Sequence, residues 1–245
     1  MIQRISILLA FLAITAYVIA AMTTLNGKPD TEVCKGMELT IKDSVNYGFV
    51  NFPEIKKILQ KQGIYPKGKR RKDINVRTLE ETLNRHPFIN KAECYFTSDE
   101  HIAVSIYQRV PVLHIISTNG DDYYIDHLGK TMHIADRPVR VVVATGYIDR
   151  KLAKNQLYLI GKYLQSDRFW NSQIEQIYVN EKQELELVPR VGDQILFFGK
   201  SEDYTEKFRK LRTFYQEAMK EAGWNKYSRI NIEFGNQIIC TKKEK

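Results

Sequence analysis

Apolar residues fall into three kinds of pattern along this chain, and each predicts a different kind of element. From Ile5 to Leu25 no residue is charged and no helical spacing leaves a polar face. That run of about 20 residues, at roughly 1.5 Å per residue, is long enough to cross a hydrocarbon core of about 30 Å. It predicts a membrane anchor or a signal peptide, and its length favours the uncleaved anchor. Period-two alternation follows in Met37 to Lys42, and again in His101 to Tyr107, where Ile102, Val104 and Ile106 share a face. Ile89 to Phe96 predicts a further strand, joined to the next by the turn Ser98-Asp99-Glu100.

Helical spacing separates these strands. Ile55, Ile58 and Leu59 form a stripe behind Asn51 and Pro53, with Gly63 as terminator. Val76, Leu79 and Leu83 form another behind Asn75, which stops before Pro87. The predicted order is strand, helix, helix, strand, strand.

Beyond Gly120 the pattern becomes more strand-rich. Tyr123 to Asp126 and Thr131 to Ile134 flank the turn His127 to Lys130, and Pro138 to Gly146 reads as a buried strand. Asp149 to Leu164 predicts a helix, and Ile174 to Val179, Glu184 to Val188 and Gln194 to Gly199 predict strands. In the last long helix Tyr204, Phe208, Leu211, Tyr215, Ala218 and Ala222 recur at steps of four and three. Fewer than three heptads make this a packing stripe rather than a coiled-coil seam. A closing hairpin spans Tyr227 to Phe234 and Gln237 to Thr241 around Gly235-Asn236.

Composition narrows what such a chain can do. Its 245 residues are 43% hydrophobic and 27% charged, with a formal net charge of +8, so it can bury a core and attract anionic partners. Lys67-Gly68-Lys69-Arg70-Arg71-Lys72 is the densest positive run, yet no aromatic residues interleave with it to stack bases. A solvated loop touching anionic lipid headgroups accounts for it better than nucleic acid does. Cys34, Cys94 and Cys240 are too scattered for a zinc module; Cys34 and Cys94 can pair only if the first strand packs beside the second, and burial as free thiols is the expectation for Cys94 and Cys240. The five histidines show no metal-ligand spacing, and Gly129-Lys130-Thr131 and Gly199-Lys200-Ser201 each lack the first half of a phosphate loop. No nucleophile motif is present, so the chain reads as non-enzymatic, without cofactor, metal or small-molecule substrate.

Three motifs carry a resemblance. Pro87-Phe88-Ile89 with Ala92 and Cys94 opens one strand, Gln108-Arg109-Val110-Pro111-Val112 ends the hairpin, and Tyr124-Ile125-Asp126 with Gly129-Lys130 makes the next. Together with the N-terminal anchor and the element order, these resemble the FtsQ/DivIB family of bacterial cell-division proteins. Gln108 stands where that family has an acid, and Asp43 where it often has glycine.

The resemblance implies an α+β chain organised as a short cytoplasmic end (1–4), a transmembrane anchor (5–25), a POTRA domain (37–116), a β domain (120–241) and a charged tail (242–245). It implies a periplasmic bulk at the division septum of the inner membrane, where a scaffold binds FtsB- and FtsL-type partners and, through them, the septal peptidoglycan synthase. The family's partner contact lies on the C-terminal strands. There the family sequence Ile-Asp-x-Arg-Tyr falls on Ile230 to Phe234, with Glu233 reversing the charge and Phe234 lacking the hydroxyl. Partner-binding expectations are therefore Glu233, Phe234, Asn236 and Ile238, with Arg109 and Pro111 in the POTRA domain. The competing readings are an envelope-anchored hydrolase with an unrecognised carboxylate site and a POTRA-containing outer-membrane assembly module.

Overall fold

A computed structural model describes residues 11–22, 32–42, 48–135 and 139–244. Residues 11–22 are helical (α1), with Phe11, Ile14, Tyr17 and Ile19 exposed. Among the described residues no helix is long and apolar enough to cross a membrane. The expected anchor at 5–25 lies partly outside them.

The chain divides into two compact units, one holding most of the residues up to Tyr107 and the other running from Gln108 to the C-terminus. In the first, β1 (Gly36–Ile41) pairs in parallel with β3 (His101–Gln108), which sits between β1 and β2 (Ile89–Phe96). The two connecting helices start where side chains can cap them. The Asn51 side chain accepts from the Glu54 amide at the head of α2 (Phe52–Lys61), with Pro53 in its first turn. Asn75 accepts from the Thr78 amide at the head of α3 (Val76–Asn84). Ile55, Leu59, Leu79 and Leu83 from the helices are fully buried, as are Ile102, Val104 and Ile106 of β3.

Much of the basic run is used locally. Lys69 donates to the Gly63 carbonyl at 2.6 Å, Arg70 pairs with Asp73 at 2.8 Å, and the Arg71 guanidinium lies 4.3 Å from the Phe96 ring centroid. Lys67 and Lys72 stay on the outside of this loop.

In the second unit the described strands form one nine-stranded mixed sheet in the order β12-β11-β10-β9-β8-β7-β4-β5-β6. Its strands are β4 (Pro111–Ser117), β5 (Asp122–Asp126), β6 (Thr131–Met132), β7 (Val142–Gly146), β8 (Ile174–Val179), β9 (Leu185–Pro189), β10 (Ile195–Gly199), β11 (Tyr227–Asn231) and β12 (Ile239–Lys242). The β4–β7, β7–β8 and β10–β11 pairs are parallel, and the remaining neighbours antiparallel. Residues 111–116, expected in the first domain, are the strand on which the second sheet is built. The boundary thus falls at Tyr107, because Pro111 cannot extend the β3 ladder and Val112, Leu113 and Ile115 are apolar on both faces, as a central strand requires.

Helices close the sheet. The expected helix from Asp149 is present and continuous, running through α4 (Arg150–Leu152), a π-turn at Ala153–Leu157 and α5 (Tyr158–Ser166), with the Asp149 carboxylate capping the start through the Leu152 amide at 2.7 Å. A short α6 (Arg168–Gln173), unmarked by periodicity, follows on an Asp167 cap. In α7 (Tyr204–Ala222) the buried apolar residues among the described side chains are Phe208, Leu211, Tyr215 and Met219, and the side chain of the expected Ala222 lies outside the described ones. Met219 replaces the expected Ala218 because a straight helix keeps a period of 3.6 and drifts off the seven-residue repeat.

Gly146 shows how tightly the parallel strands meet. Its φ is +103°, and a Cβ there would lie 2.1 Å from the Val179 carbonyl oxygen. Gly146→Ala is expected to lower the unfolding free energy by about 2 kcal/mol or more, whereas Gly63→Ala, with φ +68° but nothing within 4 Å, costs only about 1 kcal/mol. Urea denaturation of the two variants measures the contrast.

The cysteines do not pair. Cys34, Cys94 and Cys240 are all free thiols; Cys34 donates to the Gly36 carbonyl at 3.2 Å, and burial pushes the Cys94 thiol up to about 12. Protein unfolded without reductant should release three thiols per chain, and in the native state Cys94 should alkylate far more slowly than a free thiol at pH 8, both measurable with a chromogenic thiol reagent.

Candidate functional site

At the C-terminal edge of the large sheet, among the described residues, backbone donors and acceptors have no further strand beside them. β12 pairs with β11 on one side, with Ile230 opposite Cys240 and Asn231 opposite Ile239, and ends the sheet on the other. Alternation sets the two faces. Leu196, Ile230 and Cys240 share the core face, while Phe197, Asn231 and Ile239 look outward. Ile239 is 47% exposed. Ile238, the expected contact residue, instead packs against the core, so strand parity passes the outward apolar position to its neighbour.

The loop between β11 and β12 is held from below by α7. The Lys210 ammonium donates to the carbonyls of Ile232, at 3.2 Å, and of Phe234. One turn earlier Lys207, largely buried, donates to the carbonyls of Phe198 at 3.1 Å and Lys200 at 2.7 Å and lies over the Phe198 ring. Burial lowers both ammonium groups from the ordinary lysine value. These contacts fix the peptide on either side of Glu233. The Glu233 stem rests against Gly199, where φ is +70° and a Cβ would come within 2.9 Å of Glu233 Cγ. Its amide donates to the Asn231 side chain at 2.9 Å. Phe234 is 42% exposed, and Gly235 and Asn236 are also exposed. The loop therefore presents an aromatic ring beside an open strand edge, on a backbone that Lys210 anchors.

The other side of the same edge is braced. Arg229 donates to Glu186 at 2.8 Å and lies 4.6 Å from the Phe197 ring centroid, tying β11 to β9 across β10. Lys243 pairs with Asp193 at 2.5 Å.

Arg109 and Pro111 lie elsewhere than expected. Both belong to the second unit. Arg109 makes a fork on Asp126, with Nε at 2.8 Å and Nη2 at 2.7 Å from Oδ2, and Nη2 also donates to the Thr131 carbonyl at 2.9 Å. The other oxygen of Asp126 accepts the amides of Leu128 and Lys130 at 3.0 and 2.8 Å. Asp126 is 1% exposed, so this pair stitches the β5–β6 hairpin together. The family resemblance marks Arg109 as a partner contact, whereas its partner within the fold, Asp126, lies beyond an intervening strand.

Folding also assembles a group that spacing does not reveal. Glu38, Asp99 and His101, on β1, the preceding turn and β3, offer ligand atoms within 4.8 Å of one another. His101 Nδ1 lies 3.2 Å from Asp99 Oδ2. All three are exposed or half exposed, as acids on a protein surface commonly are without any metal.

Because the buried Asp126 carboxylate depends on one guanidinium, Arg109→Ala should cost about 3–5 kcal/mol of unfolding free energy. The Arg109→Ala/Asp126→Ala double variant should recover part of that loss, and a double-mutant cycle by thermal or urea unfolding measures the coupling.

Comparison with known families agrees with this architecture. A family model described as FtsQ/DivIB, C-terminal related, matches residues 110–241, more than half of the chain, and a POTRA-like domain model matches residues 32–107. Among curated proteins none matches. The two matched segments meet between β3 and β4, where the compact units also divide. The chain belongs to the FtsQ/DivIB family of cell-division proteins.

Proposed function

We propose that this protein is a non-enzymatic scaffold of the division machinery, anchored in the cytoplasmic membrane by the segment 5–25, whose β12 edge takes up a strand from an FtsB- or FtsL-type partner and so supports septal wall synthesis. The observation that carries the reading is the side of β12 that no strand covers among the described residues, flanked by exposed Phe234 and Ile239. An added strand would gain main-chain hydrogen bonds along the edge, while alternate side chains meet Ile239 and Phe234 and supply selectivity. Phe234 is the apolar anchor and Asn236 a rim contact. Glu233, held on Gly199, contributes charge rather than reach. The exposed apolar side chains of residues 11–22 support the anchor, because an isolated helix with apolar residues all round is stable in lipid and not in water.

Phe234→Ala, and separately a chain ending at Asn236, should weaken capture of the partner by about tenfold or more while membrane retention is unchanged. Pull-down from solubilised membranes measures this, with circular dichroism confirming the fold. Full capture by both variants would remove the edge from consideration, and a fluorescent fusion spread evenly around the cell would remove the division role itself.

A further inference from the structure

Three arginines far apart in sequence converge on one cavity of the second unit. Arg140 precedes β7, Arg168 opens α6 and Arg190 follows β9, and together with Asn171 and Ser172 they line a space of about 270 Å³. Among the described residues no carboxylate lines it, and Arg140 and Arg168 enter no ion pair. Arg190 has a single acidic neighbour, Glu175, whose carboxylate stands 4.0 Å from Nη1, at the outer limit of an ion pair. Arg190 Nε is buried and has no hydrogen-bond partner. Most other described arginines differ: Arg70, Arg77, Arg109, Arg150, Arg209, Arg212 and Arg229 each meet a carboxylate at 3.1 Å or closer, while Arg71 stands 3.7 Å from Glu32 and Arg85 enters no ion pair.

Like charges gathered around one space repel unless an anion fills it. Guanidinium forks match the tetrahedral oxygens of phosphate, and three of them balance a dianion better than the single charge of a carboxylate. The Asn171 amide adds a neutral donor, whereas the Ser172 hydroxyl is already spent on the Phe169 carbonyl at 2.7 Å. The cavity wall is fixed by backbone contacts, since the Arg190 amide donates to the Gln173 carbonyl at 2.7 Å. β9 lies three places in from β12, so this pocket is not the strand-pairing edge.

We infer that Arg140, Arg168 and Arg190 form a binding pocket for a phosphate group, borne either by a soluble phosphate or pyrophosphate or by the headgroup of an anionic lipid. The full chain, arginine-labelled with nitrogen-15 and held in phosphatidylcholine nanodiscs, is titrated with inorganic phosphate and with pyrophosphate while the Nε–H resonances are followed. Saturable shifts of Arg168 and Arg190 are expected. The Arg140→Lys/Arg168→Lys/Arg190→Lys variant, which keeps charge and loses the forks, should bind at least about tenfold more weakly. Lys67→Gln/Lys72→Gln, in the exposed loop of the first unit, should leave the titration unchanged.

Nanodiscs containing phosphatidylglycerol separate the two sources. If the same resonances shift there without added phosphate, the lipid headgroup is the ligand; if they shift only on adding soluble phosphate or pyrophosphate, the ligand is soluble. Shifts that rise without saturating, equal binding by the triple lysine variant, or no response in any arm would overturn the pocket.

Discussion

Trp170 is fully buried against Phe208 of α7, with ring centroids 5.1 Å apart, and Phe208 in turn rests 5.0 Å from Phe198 of β10. Fully buried aromatic side chains of this kind contribute about 1.5–3 kcal/mol each. The contact does more than add burial, because it decides where α7 lies on the sheet. Arg212 completes it from outside, donating to Asp167 at 2.6 Å while its guanidinium lies 5.5 Å from the Trp170 ring centroid. With α7 fixed there, Lys207 and Lys210 reach the ends of β10 and β11. The shape of the loop that exposes Phe234 is thus inherited from a tryptophan on a different helix.

Local chemistry makes most elements readable from the residues alone. Asn51 and Asn75 act as caps where their spacing predicts, and the alternation of Ile102, Val104 and Ile106 marks a buried strand face. Features set by distant partners are not readable in this way. Short α6 carries too few residues to show a period, and the π-turn at Ala153–Leu157 has the same apolar spacing as an uninterrupted helix. Gln108 to Val112 has the pattern of a hairpin's end because nothing in that stretch reveals that Val112, Leu113 and Ile115 are sandwiched between β5 and β7.

The site divides the same way. Phe234 is legible as an exposed aromatic in a turn between strands, whereas which of Ile238 and Ile239 faces outward depends on one residue of register, which the pairing with β11 fixes. Arg109 carries a motif yet braces a hairpin, and Arg140, Arg168 and Arg190 carry none, since three separate connections bring them together. Residues whose role lies in one element announce themselves. Those whose role lies between elements do not.

The two ends of the large sheet are unequal. At one end β6 has only Thr131 and Met132 to offer, while at the other β12 runs from Ile239 to Lys242 with an outward isoleucine. A sheet with two long open edges is divalent, and copies of it can polymerise edge to edge without limit. Among the described residues this sheet is asymmetric, with an outward-facing apolar strand long enough to template another only at its β12 end. Edge-to-edge contact between two copies would then have to set β12 against β12, an isologous contact that closes at two chains instead of extending into a fibre.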